Sequence, residues 1–107
     1  MKYVLRVTIA AKSDLREIFR YIEQHDSPEC ADKLVNSLEQ TITSLAMMPQ
    51  RGHCPPELYR IGVREFLEIH FKPYRIVYSI RGNDVIVHCV LDGRRDMQTL
   101  LQQRLLR

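Results

Sequence analysis

The sequence lacks the short motifs that mark most enzyme and metal-binding classes. It contains no GxGxxG or GxxxxGK[ST] loop for a nucleotide, no GxSxG around a nucleophilic serine, and no CxxC, HxxxH or HExxH spacing for a metal. It also lacks internal repeats, and no apolar run approaches the roughly 20 residues that a membrane-spanning helix needs. We therefore expect no cofactor, no bound metal and no membrane association.

Cysteine is scarce, with Cys30, Cys54 and Cys89 as the three examples. An odd number without CxxC spacing fits a reducing compartment better than a disulfide framework, and the N-terminus lacks the apolar core of a signal peptide. We expect a cytoplasmic protein with Cys89 in its core. His88 and Cys89 are neighbours in a strand-like run, so they should point to opposite faces and cannot both reach one ion unless the strand is broken.

Positive charge is concentrated in the second half of the chain. Residues 1–50 hold 6 Lys and Arg against 7 Asp and Glu, whereas residues 51–107 hold 10 against 6 and are net +4. Nine of these ten cations are arginine, which makes planar two-point contacts with phosphates and carboxylates. Either nucleic acid or an acidic protein segment would suit this half, although a tilt of this size is also common in small domains.

Hydrophobic periodicity predicts a strand followed by a helical hairpin. Residues 3–10 alternate as one face of a strand, and apolar residues at i, i+3, i+4 and i+7 predict a helix over residues 13–25. Ser27 as N-cap and Pro28 at the first helical position predict a second helix. It must stop near Met48, because the next residue is proline.

The remainder predicts three strands and a final helix. Residues 49–57 are rich in proline and glycine and should form a loop without a regular element. Three runs rich in β-branched and aromatic residues follow, at residues 58–71, 74–80 and 84–91. Their short connections predict an antiparallel meander. Asp96 is a suitable N-cap for a short helix that presents Met97, Leu100, Leu101 and Leu105.

These elements predict an α+β fold in the order β-α-α-β-β-β-α, with residues 1–107 forming one domain. The helices should lie on one face of the sheet. The other face should stay partly open, and an exposed apolar face on so small a domain is where a partner would bind.

Arginines near the strand ends are the candidate binding residues. In an antiparallel meander, the beginning of one strand and the end of the next but one can lie at the same edge of the sheet, so side chains at these positions can converge. The structural alternative is that Arg75 pairs with a carboxylate, Gly93 makes a turn, Arg94 is solvated and Asp96 caps the last helix. The candidates are Arg64, Arg75, Arg94 and Arg95.

The chain resembles a known toxin family along essentially its whole length. An N-terminal strand, a helical hairpin, "GVRE", "PYRIVY" and "GRRD", in this order, are similar to the ParE (plasmid stabilisation) branch of the RelE/ParE toxins of type II toxin-antitoxin systems. The resemblance implies a small α+β protein of the bacterial cytoplasm, held inactive by an antitoxin whose C-terminal segment wraps it. It also implies one of two targets, since ParE-type members act on DNA gyrase and RelE-type members cleave mRNA in the ribosome.

The residues that resemble the RelE pattern are incomplete. Arg95 matches a family arginine, His70 stands where a strand arginine is expected, and the family tyrosine and lysine cluster are missing. Our leading hypothesis is therefore a gyrase-inhibiting toxin that needs a binding surface, on Arg64, Arg75, Arg94 and Arg95, and no catalytic residues. The alternatives are a ribosome-dependent endoribonuclease that uses His70, Arg75 and Arg95, or an inactive relative that only binds the antitoxin.

Overall fold

A computed structural model describes residues 3–106 of the chain. The elements are β1 Val4–Val7, α1 Ile9–His25, α2 Pro28–Thr43, α3 Pro56–Tyr59, β2 Leu67–Phe71, β3 Tyr74–Arg81, β4 Asp84–Asp92 and α4 Met97–Leu105. Met1, Lys2 and Arg107, which belong to the expected domain of residues 1–107, lie outside the described residues. The predicted α+β class and element order are confirmed, and α3 is an addition. Within residues 3–106, no helix has the length and apolar character to cross a membrane.

Side-chain caps decide where the two hairpin helices begin. Thr8 Oγ1 accepts a hydrogen bond from Ala11 N at 3.1 Å, so α1 starts directly after Thr8. The strand predicted over residues 3–10 is therefore shorter than expected, and the helix predicted from residue 13 begins earlier. Ser27 caps α2 as predicted, with its Oγ accepting from a backbone N–H at 3.1 Å.

The segment after α2 holds more regular structure than the sequence predicts. α2 ends at Thr43 rather than near Met48. Residues 49–57, predicted to lack any element, contain a 3-10 turn that starts at Pro49 and the beginning of α3 at Pro56. Both prolines sit in a first turn, where the missing N–H would have had no partner in the helix. The prolines therefore start short helices in this segment instead of preventing them.

The strand predicted over residues 58–71 is wrong in its first part. Leu58 belongs to α3, and the chain then turns at Gly62, whose φ of +81° is a left-handed conformation outside strand geometry. Arg64, expected at the head of a strand, lies in the irregular segment before β2. Only Leu67–Phe71 forms the strand.

The strands form one mixed sheet in the order β1-β4-β3-β2. The predicted meander is confirmed, since β2 pairs antiparallel with β3 and β3 with β4. Gly82, at a φ of +60°, makes the tight turn between β3 and β4. β1 pairs in parallel with β4 and brings Val4 opposite Asp84. β4 is the last strand in the sequence, and it lies inside the sheet.

Helices cover both faces of the sheet. On one face, α1 and α2 pack on a cluster that includes Leu38, Ile76 and Tyr78. On the other face, Leu58 of α3 and Leu101 of α4 pack in a second cluster of buried residues. The expectation of helices on one face and a partly open second face is therefore wrong. The proline-rich segment that forms α3 gave no sign of a helix. The apolar side chains of α4 pack against the sheet.

Side chains from α1 and α4 close the edge of β4 beyond the end of β1. Asp14 Oδ2 accepts a hydrogen bond from Val90 N at 2.9 Å, and Arg104 donates two more to the same carboxylate at 3.0 and 2.9 Å. The carboxylate raises the pKa of Arg104. Because α1 and α4 lie on opposite faces, the Asp14–Arg104 ion pair joins the two layers of helices around the sheet edge.

A β-bulge in β4 changes the direction of its side chains. The register with β3 shifts between Val77 and Tyr78, which leaves His88 as an extra residue in β4. The His88 ring packs edge-on against Phe66, with centroids 5.3 Å apart, and Phe66 shares a cluster with Cys89. The prediction that His88 and Cys89 point to opposite faces is wrong, because the bulge breaks the alternation of the strand.

Candidate functional site

Arg75 is the centre of an ion-pair network on the sheet face covered by α3. Its guanidinium donates two hydrogen bonds to Glu57 in the first turn of α3, with Nη1–Oε2 at 3.0 Å and Nη2–Oε1 at 2.6 Å. Its Nε donates to Glu68 Oε1 on β2 at 2.6 Å. The exposed fractions of the Arg75, Glu57 and Glu68 side chains are 11%, 15% and 1%. Arg75 is thus paired with carboxylates, as the structural alternative expected.

The pairing sets the charge of these groups. The hydrogen bond from Arg75 lowers the pKa of Glu57, although burial alone would raise it. The same hydrogen bond is the main reason that the pKa of Arg75 is raised above its usual value. Three of the five N–H groups of the guanidinium are already used. A phosphate would therefore have to compete with two carboxylates for Arg75.

Two histidines flank the buried carboxylate of Glu68. His53 Nε2 lies 3.1 Å, and His70 Nε2 3.3 Å, from Glu68 Oε2. Glu68 and His70 are two residues apart in β2, so they share one face of the strand. The two nitrogens and the oxygen all lie within 4.8 Å of one another, which is close enough to hold one metal ion. Metal motifs are defined by the spacing of residues along the chain, whereas this group combines His53 with two residues of a distant strand.

Tyr78 fixes the loop that carries His53. Its hydroxyl donates to the Pro49 carbonyl at 2.6 Å and accepts from Gly52 N at 3.1 Å. A Cβ at Gly52 would overlap this hydroxyl and would lie 2.8 Å from the backbone oxygen of Glu68. The close approach of the loop to β2 and β3 therefore requires glycine at this position.

A groove of about 480 Å³ lies between α1 and the end of β4. Arg94, on its wall, donates to the carboxylate of Asp92 at 3.0 and 2.7 Å, and this lowers the pKa of Asp92. Arg95 is exposed on the same wall. Asp96 caps α4 as predicted, accepting from Thr99 N at 3.3 Å. The other lining residues are Asp14, Glu17, Ile18, Tyr21, Ile22, Tyr74, Val90 and Leu91.

The predicted site residues lie in three places. Arg64 stacks over the Tyr59 ring, with its guanidinium carbon 4.6 Å from the ring centroid. His70 and Arg75 are paired opposite each other on β2 and β3 and line a second cavity. Arg95 lines the α1 groove. The three residues of the nuclease hypothesis are thus divided, with His70 and Arg75 on one cavity and Arg95 on another.

Sequence reasoning missed Glu57 and Glu68, the partners of Arg75, and missed that His53 lies with His70 beside Glu68. Glu68 and His70 carried a usable signal, because two polar residues at i and i+2 of a strand-like run share a face. Glu57 and His53 carried none, since they lie in a segment rich in prolines whose turn chemistry does not reveal side-chain directions.

Comparisons with known proteins identify the family of the chain. The family described as ParE toxin of type II toxin-antitoxin system, parDE, matches residues 5–97. Toxin ParE3 of Caulobacter vibrioides is 28% identical over 97 residues, covering 91% of this chain and 93% of its own. A structure of the chromosomal ParDE system of P. aeruginosa aligns with a TM-score of 0.71 and 19% identity, covering 83% of this chain and 94% of its own. The toxin-antitoxin complex RelBE2 of Mycobacterium tuberculosis aligns with a TM-score of 0.63 and 18% identity, covering 84% and 96%.

The TM-scores of these two solved structures show that they share the fold of this chain, and identities this low show the fold alone. The chain is thus a toxin of a type II toxin-antitoxin system. Within this class, the family match extends over most of the sequence, and the chain belongs to the ParE toxin family.

Proposed function

We propose that this protein inhibits DNA gyrase in the bacterial cytoplasm and is held inactive by a cognate antitoxin. The observation that carries the proposal is membership of the ParE family over residues 5–97. The state of Arg75 supports it, because an arginine bound by two carboxylates is poorly placed to stabilise charge on a phosphate during RNA cleavage. A gyrase inhibitor needs a binding surface and no such catalytic group.

The α1 groove is the surface that we assign to protein partners. The second sheet face, expected to receive the antitoxin, is covered by α3 and α4. The groove instead offers apolar and aromatic side chains between acidic residues of α1 and the exposed Arg94 and Arg95. An amphipathic segment with an acidic residue would pair with Arg95, beside Arg94 that is bound to Asp92, and the antitoxin is the partner that we place there.

One observation favours the endoribonuclease alternative. His70 has 40% of its side chain exposed and lies 3.3 Å from the Glu68 carboxylate, an arrangement in which a histidine can act as a general base. The remaining nuclease candidates do not complete a catalytic group with it, because Arg75, which lies beside His70, is bound by carboxylates, and Arg95 lines the other cavity.

The decisive experiment measures both activities of the purified protein. We expect loss of gyrase supercoiling at excess protein and no new mRNA cuts in translating ribosomes. Cut mRNA with unaffected supercoiling would overturn the gyrase proposal and favour the nuclease, which His70→Ala should then inactivate. Harmless overexpression without any antitoxin would leave only the inactive relative that binds the antitoxin.

A matched pair of arginine variants tests the surface. Arg95→Ala should weaken binding to gyrase or to the antitoxin without lowering the midpoint of urea unfolding. Arg6→Ala removes another exposed arginine, outside the groove and paired with Asp84 at 3.4 Å, and should leave binding unchanged. Equal effects of the two variants would contradict the assignment of the groove.

A further inference from the structure

The fold brings together three side chains that the proposed function does not use. His53 comes from the loop after α2, and Glu68 and His70 come from β2. An isolated β-bridge holds His53 opposite Glu68 through two backbone hydrogen bonds, of 3.1 Å from His53 N and 2.7 Å to His53 O. The positions of all three Cα atoms are therefore set by backbone pairing, although His53 lies in a loop.

The distances from the carboxylate oxygen to the two imidazole nitrogens are close to those between neighbouring ligands of a four-coordinate ion. Zn²⁺ binds histidine nitrogen and carboxylate oxygen at about 2.0–2.2 Å, which places neighbouring ligand atoms of a tetrahedron roughly 3.4 Å apart. The separations from Glu68 Oε2 are 3.1 Å to His53 Nε2 and 3.3 Å to His70 Nε2. With 60% and 40% of their side chains exposed, the two imidazoles have room to adjust around an ion.

The surroundings of Glu68 favour a metal ligand in two ways. Arg75 Nε holds the other carboxylate oxygen, Oε1, at 2.6 Å, which orients the group and leaves Oε2 directed at the histidines. Glu57 neutralises Arg75, so the two carboxylates and the guanidinium together carry a net charge of about −1. This charge favours a cation at Glu68, and Lys72, which lines the same cavity, reduces the effect.

We propose that His53, Glu68 and His70 form a binding site for one divalent ion of the Zn²⁺ type, with three protein ligands and one open position. Two imidazoles and one carboxylate suit borderline metals such as Zn²⁺ and Co²⁺ better than Mg²⁺ or Ca²⁺, which prefer oxygen ligands. The group opens on a cavity of about 350 Å³, also lined by Lys72 and Gly93, where water or another molecule would complete the coordination. The ion would tie the loop after α2 to the sheet.

The test uses the chelator-treated full-length chain without a polyhistidine tag, because a tag would itself bind the probe metals. Calorimetric titration with Zn²⁺ should give one ion per chain and raise the midpoint of thermal unfolding. Titration with Co²⁺ should give the visible absorption of a four- or five-coordinate ion. No binding of either ion would overturn the proposal, and the histidines would then serve only as hydrogen-bond partners of Glu68.

Variants assign the ligands. His53→Ala and His70→Ala remove half-exposed side chains, and each should lower Zn²⁺ affinity on the order of 100-fold while circular dichroism shows a folded chain. His25→Ala is the matched control, because His25 is an exposed histidine at the end of α1 and should have no effect. Unchanged affinity in both site variants would overturn the site. So would a thiolate-to-cobalt absorption band that disappears in Cys54→Ser, because the ligand set would then be a different one.

Discussion

Replacing Arg75 with alanine should lower the free energy of unfolding far more than replacing an exposed arginine such as Arg94 would. The change removes three hydrogen bonds and leaves two carboxylates without their cation, one of them on a side chain that is only 1% exposed. Removing one partner of a buried ion pair costs about 3–5 kcal/mol, and because Arg75 and Glu57 keep 11% and 15% of their side chains exposed, we expect about 3 kcal/mol. Against a total stability of roughly 5–15 kcal/mol, this is a large share.

Urea unfolding of four chains measures this effect. Arg75→Ala, Glu68→Gln and the double variant form a cycle with the parent chain, and the coupling energy should lie between about 0.5 and 3 kcal/mol. Arg94→Ala is the control, since the Arg94 side chain is 74% exposed in its pair with Asp92 and should leave the unfolding midpoint nearly unchanged. If Arg75→Ala is no more harmful than Arg94→Ala and shows no coupling to Glu68, Arg75 is free and available to bind a target.

Three further predictions concern the loop, the cysteines and pH. Gly52→Ala should cost about 1–3 kcal/mol in urea unfolding because its Cβ would displace the Tyr78 hydroxyl, and an unchanged midpoint would show that the loop yields without cost. In thiol labelling of the native chain, exposed Cys30 should react quickly, whereas burial raises the pKa of the Cys89 thiol to about 12 and should delay its reaction until unfolding. Equal labelling rates would contradict this burial. Burial also lowers the pKa of His88 below its usual 6.5. As pH falls through about 6.5, His88 therefore binds a proton in the unfolded chain before it does so in the folded chain, and the stability should decrease. His88→Gln should reduce that slope, and an identical slope would assign the pH dependence to other groups.

The elements that local patterns specify were predicted well. Ser27 and Asp96 cap their helices as expected, because capping depends on residues within one turn. The meander followed from short connections between β-branched runs. The errors arose where tertiary packing decides, as at Leu58, which was assigned to a strand and lies fully buried in α3.

The candidate site was harder to predict than the fold. The pairing of Arg75 depends on Glu57, which is 18 positions earlier in the chain and in a segment without periodicity. The bulge at His88 reversed a side-chain direction that strict alternation would have fixed. Both depend on contacts between elements distant in the sequence, and a single sequence carries little information about such contacts.

The position of β4 inside the sheet has a consequence for how the protein is made. Among residues 3–106, β1 pairs with β4 alone, and Val4 lies opposite Asp84, a separation of 80 positions. During synthesis this pairing cannot form until β4 leaves the ribosome, and contacts between such distant segments form slowly in folding. A partly synthesised chain therefore lacks the completed sheet and the groove between α1 and the end of β4.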